Sequence, residues 1–156
     1  MEREFEYTCA ARLQLVEVEL VSVEVSKPPL TVKTPDDAVR ALEQLIGSKD
    51  REHLVAMHLD ARNQVVSFEV ISKGTTTAAL VHPREVMKAA ILSNASAFIL
   101  AHNHPSGDPS PSTEDKEVLK RMHAVGKLIG IPMVDFIIVS PGGNWIGRET
   151  AHWPTE

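Results

Sequence analysis

The chain has 156 residues, 43% hydrophobic and 24% charged, which suits one ordinary domain with a real core and is too apolar for a disordered segment. A net charge of −5 argues against a protein that grips nucleic acid by charge alone, and 4% aromatics argue against a base-stacking platform. With one cysteine, Cys9, an internal disulfide or a cysteine-built zinc cluster is excluded, so any metal falls to histidines and carboxylates.

The longest apolar run, residues 97–101, is far short of the roughly 20 residues a membrane helix needs. The acidic start, Met1 to Glu6, lacks the following apolar stretch of a signal peptide. The expectation is a soluble cytoplasmic protein with no membrane partner.

In chain order, residues 13–25 alternate Val and Leu with Glu and Ser, which predicts a strand with a bulge near Leu20 and Val21. Residues 1–30 read as an N-terminal strand arm of the same domain. Thr34-Pro35-Asp36-Asp37 predicts a helix start, with Ala38, Leu42, Leu45 and Ile46 as its apolar stripe and Gly47 as its stop. Strands over 53–60 and 65–72, joined by a turn at 61–64, predict a hairpin, followed by a polar loop at 74–77. Pro83 opens a helix with Val86, Ala89, Ala90 and Ile91 inward. Residues 97–101 read as a buried strand. A helix from Ser112 carries the stripe Val118, Met122, Val125 and Ile129. Residues 133–139 form another buried strand, and 145–146 a short one after a turn. A frayed tail is expected after Gly147, with 151–156 outside the domain. This order predicts an α/β (α+β) layered fold.

The chemistry concentrates in residues 102–115. His102 and His104 stand two apart at the end of a strand, so both imidazoles share one face. A loop with three prolines and a glycine turns the chain back toward Ser112 and Asp115, at the start of a helix. Asp115 would complete a His-His-Asp set. Three protein ligands leave a fourth tetrahedral position for water, the pattern of catalytic zinc, which lowers the pKa of water and polarises a carbonyl.

The spacing H-x-H-x(7)-S-x(2)-D resembles the JAMM (MPN-plus) metalloprotease motif. With AHNHPSGDPSPSTED, VHPREV upstream and LIGIPMVD downstream, the chain resembles the RadC branch of that family over about residues 34–148. The resemblance implies an MPN/JAMM-like, cytidine-deaminase-like sheet flanked by helices over 31–150, and one Zn2+ per chain on His102, His104 and Asp115. It also implies that Ser112 stabilises an oxyanion and that a glutamate on an earlier strand acts as general base. Glu52, fifty residues before His102, is preferred, with Glu69 as the alternative. RadC relatives commonly carry Asp-His where this chain has Asp135-Phe136; the replaced histidine is not part of the zinc motif.

Plainer readings stand beside these. His53, His58, His82, His123 and His152 read as structural, and Arg84 as a helix-end ion pair. Asp108 is a rival ligand but sits in a Gly-Asp-Pro turn, where aspartate is expected for local reasons, and Gly107 suits a positive φ. Ser112 is a good N-cap, worth ~1 kcal/mol. Cys9 reads as inert.

The leading function is a zinc-dependent hydrolase of peptide or isopeptide bonds acting on a protein or peptide substrate. The alternative is a DNA-repair-associated factor without peptidase activity, which the acidic charge does not support. A non-haem iron oxygenase is a third class, disfavoured by the helices. Oligomeric state is not legible.

Overall fold

The computed structural model describes residues 30–74 and 81–155. The strand, bulge and arm expected before residue 30, residues 75–77 of the expected polar loop, and Cys9 lie outside the described residues.

The described elements run α1 (Pro35–Leu42), a π turn (Glu43–Gly47), β1 (His53–Leu59), β2 (Val65–Lys73), α2 (Pro83–Leu92), β3 (Ala97–Asn103), α3 (Thr113–Ile129), β4 (Met133–Ser140), β5 (Gly143–Ile146) and a 3-10 turn (Gly147–Glu149). The five strands form one mixed sheet in the order β2-β1-β3-β4-β5. β3 and β4 are parallel, as a helical crossover requires, and the other pairs are antiparallel. The predicted hairpin is β1–β2, and its turn places Asn63 at φ 58°.

Helices cover both faces, giving an α/β layered fold. α1 packs on Val55, Met57, Ile99 and Ile137, while α2 and α3 pack on Leu54, Ala56, Leu100 and Phe136. β3 lies in the middle and is buried at every position, which is why it reads as an unbroken apolar run.

Three helix faces differ from the sequence expectation. Leu45 is 38% exposed, because the wider π turn swings it off the stripe while Ile46 stays buried. On α2, Ile91 is 55% exposed and Met87 is buried, so the helix seats on its 86/87/90 arc and its last turn stands clear. On α3, Ile129 is 47% exposed and Leu119 is buried. There Gly126 supplies the close approach. A Cβ on it would lie 2.7 Å from the Ile131 carbonyl oxygen, so the helix end packs by backbone rather than by a side chain.

The segment after Gly147 is not frayed. Arg148 N–H donates to the buried Asp135 carboxylate at 3.1 Å, and Trp153 packs on the α3 side of the core with its ring 5.3 Å from that of His123. Gly147 is required there, since a Cβ would meet the Phe136 carbonyl oxygen at 2.9 Å. No described helix is long and apolar enough to cross a membrane.

Candidate metal centre

β3 delivers His102 on the face covered by α3, beside Phe136, whose ring stacks on the imidazole at 5.6 Å and 24°. His104 follows just past the strand end, and the two imidazoles meet edge to face at 4.5 Å. The chain then turns through Gly107 at φ 91°, as expected. This loop rests on the β4–β5 turn. Ser140 donates its hydroxyl to the Gly107 carbonyl, and Gly142 lies so close that a Cβ would reach that oxygen at 2.2 Å.

The turn returns the chain to Ser112, the N-cap of α3. Asp115 N–H donates to Ser112 Oγ at 3.1 Å, and the Asp115 carboxylate accepts from Ser112 N–H at 2.8 Å and from its hydroxyl at 2.7 Å. The capping box thus fixes the carboxylate as well as the helix end. Asp115 Oδ1 lies 3.2 Å from His102 Nε2, and Oδ2 lies 3.6 Å from His104 Nε2.

Ligand atoms of the three side chains all fall within 4.8 Å of one another. Zinc bonds of 2.0–2.1 Å in a tetrahedron set ligand atoms about 3.4 Å apart. The two histidine–aspartate distances, one to each carboxylate oxygen, lie near that value. His102 is almost fully buried, and neither of its ring nitrogens makes a hydrogen bond. A buried polar atom left so is costly unless something takes its lone pair. His104 Nδ1 faces the Asp108 carbonyl at 2.7 Å, so it carries the proton and leaves Nε2 free to bind a cation. A metal fits this donor set.

Charge runs the same way. Burial pushes His102 down to about 4, against the pull of Asp115 and with the push of His104, so it is neutral at pH 7. His104 is raised, chiefly by Asp115, against burial, with the Asp108 carbonyl and the charge of Glu52 adding. Burial alone would raise Asp115, but His104, His102 and the Ser112 hydroxyl and N–H outweigh it and hold the carboxyl at about 2.

The two glutamates separate by register. The β1–β3 ladder ends where Leu54 pairs with His102, and Glu52, two residues before Leu54, lies close enough for its charge to raise His104. Glu69 pairs with Ala56, which pairs with Leu100. It therefore sits two strands from the triad, roughly 10 Å sideways, beneath α2. Burial raises its carboxyl, with Lys88 opposing and Glu85 adding. Beside Glu52, a hollow of about 470 Å³ opens between Asp50, Arg51, Gly74, Pro105 and Ser106.

The rival and structural residues fall elsewhere. The Asp108 carboxylate caps its own turn through Ser110 N–H at 2.8 Å. His82 caps α2 by accepting from Arg84 N–H at 3.2 Å, and the Arg84 side chain pairs with Glu85. His58 is buried against Ser67, and His53 faces the Arg51 carbonyl. The sequence reading missed Asn103, a fully buried side chain between the two histidines. Its signal was present: period two turns it away from the metal into an apolar core, where a buried amide must find partners.

The RadC-like JAB domain family model matches residues 32–149. Similar proteins are named UPF0758. One from Caldanaerobacter subterraneus is 40% identical over 126 residues, covering 81% of this chain and 54% of the relative. One from Symbiobacterium thermophilum is 55% identical over 91 residues, covering 58% of this chain and 39% of the relative. One from Finegoldia magna is 45% identical over 129 residues, covering 83% and 58%. The chain spans about half the length of the curated relatives it matches.

Proposed function

The chain belongs to the RadC-like JAB domain family, and from that premise we propose that it is a zinc-dependent hydrolase of peptide or isopeptide bonds in a protein or peptide substrate. One observation carries the reading. Two imidazoles and one carboxylate converge without a fourth protein ligand among the described residues, with the His102 nitrogens unbonded. Three ligands and an open position mark catalytic rather than structural zinc.

The chemistry a bound zinc supplies at such a site is polarisation of a carbonyl and a lowered pKa for water. His102, His104 and Asp115 hold the ion. Glu52, whose charge reaches His104, takes the proton from the attacking water and returns it to the leaving amine. The Ser112 hydroxyl, now given to Asp115, turns to the oxyanion that develops on the scissile carbonyl. The hollow beside Glu52 receives the substrate chain.

The test is zinc quantification followed by a peptide-library cleavage screen. Wild type carries one zinc and cleaves, a chelator abolishes cleavage and zinc restores it, while His104→Ala carries none. Glu52→Gln keeps zinc and loses ~10²- to 10⁴-fold in turnover. Undiminished turnover in that variant removes Glu52 from the mechanism. Iron rather than zinc in protein purified without added metal would overturn the hydrolase reading.

A further inference from the structure

β1 and β3 pair by backbone from Leu59–Ala97 to Leu54–His102, where the ladder ends. Beyond that point one side chain continues it. Asn103 Oδ1 accepts from His53 N–H at 2.7 Å, and its Nδ2 donates to the Arg51 carbonyl at 3.0 Å and the Lys49 carbonyl at 3.3 Å. The amide acts as a peptide group would, giving one acceptor and two donor hydrogens to backbone. Its orientation is unique, because an N–H faces the oxygen and carbonyls face the nitrogen. Asn103 is 1% exposed, so these bonds are shielded from water.

The residue bracketed by these bonds is Glu52. Its neighbours on both sides, Arg51 and His53, are tied to Asn103, and its own carbonyl accepts from Gly74 N–H at 2.8 Å. Glu52 precedes the strand proper and is held from the β3 side by Asn103 and from the β2 side by Gly74. Period two places Asn103 on the opposite face from His102 and His104, so it cannot be a ligand. Resting on the reading of Glu52 as general base, we propose that Asn103 is a positioning residue that holds the Glu52 backbone in register with the metal ligands. The link between β3 and the backbone around Glu52 is thereby a side-chain latch rather than a ladder.

The experiment uses cobalt(II) as probe in wild type, Glu52→Gln, Asn103→Ala and the double variant. Stoichiometry and the pH midpoint of the cobalt visible bands are read. All four bind one cobalt, since the ligands are untouched. A carboxylate beside the open position disfavours loss of a proton there, so Glu52→Gln lowers the midpoint by about one unit or more. Asn103→Ala lowers it in the same direction, by at least half as much, and the double variant shifts no further than Glu52→Gln alone. That non-additivity is the signature of action through Glu52. An Asn103→Ala midpoint equal to wild type, or a fully additive double variant, overturns the latch while the base stands. An unmoved Glu52→Gln midpoint overturns the base and the latch with it. If Asn103→Ala does not fold, Asn103→Leu, which keeps the side-chain volume and adds no charge but makes none of the three hydrogen bonds, takes its place in the same comparison.

Discussion

Helices α1 and α3 both begin with a hydroxyl residue followed three positions later by aspartate, Thr34 with Asp37 and Ser112 with Asp115. In each, the carboxylate accepts from the N–H of the cap residue at 2.8 Å. The two differ in what faces the second oxygen. Asp37 meets Arg40 one turn along its own helix, with its side chain 22% exposed, and its hydrogen bonds from Thr34 and Lys33 lower its carboxyl. Asp115 is 6% exposed; its second oxygen, Oδ1, faces His102 of β3, while Oδ2, already held by Ser112, lies 3.6 Å from His104 just past that strand. The local motif is the same in both places. A cap becomes a ligand only where the fold brings non-local donors to the free lone pairs.

The largest effect that could break this comparison comes from exchanging the carboxylates for amides. Asp115→Asn is expected to abolish zinc binding in a direct titration, whereas Asp37→Asn leaves it unchanged. Equal zinc affinity in both variants would make the caps equivalent and remove Asp115 from the site. Next comes Ser112→Ala, which frees the carboxylate it orients. It should weaken zinc ~10- to 100-fold, as loss of a partner that aims a ligand does. It should also cost about 1 kcal/mol of stability as a lost cap. Thr34→Ala should show only a stability loss by thermal melting.

Protonation sharpens the contrast further. His104 is raised above the ordinary imidazole value, and zinc must displace its proton. As pH falls through that raised pKa, zinc affinity should drop about tenfold per unit, starting at higher pH than for an ordinary histidine. A competition titration from pH 8 to pH 5 reads this, and a flat profile would mean that His104 does not ligate. The smallest effect is that of Asp37→Asn on its own helix, a slight lowering of the melting temperature. Asp37 is only part-buried, and its ion pair with the exposed Arg40 lies at the surface, where such pairs contribute little.

Much of this was legible beforehand. Pro35, Pro83 and Ser112 mark helix starts, Gly47 marks a helix end, and the apolar run 97–101 marks the buried strand. His102, His104 and Asp115 were legible as a group because strand period and cap geometry are local. Less legible were Leu45, Ile91 and Ile129, whose stripes fit a helix in isolation but not the arc that meets the sheet. The packing of Trp153 was hidden too, since it depends on Asp135 and Gly147 anchoring the returning chain.

The sequence by itself determined which side chains could bind a cation and on which elements they ride, because periodicity and capping act over a few residues. Only the tertiary structure decided that α3 rather than α1 faces the imidazoles. It also set Glu69 two strands from His102 and tied Asn103 to the backbone on either side of Glu52. Those outcomes follow from strand register and layer packing, which couple residues some fifty positions apart and leave no mark on any short stretch of chain.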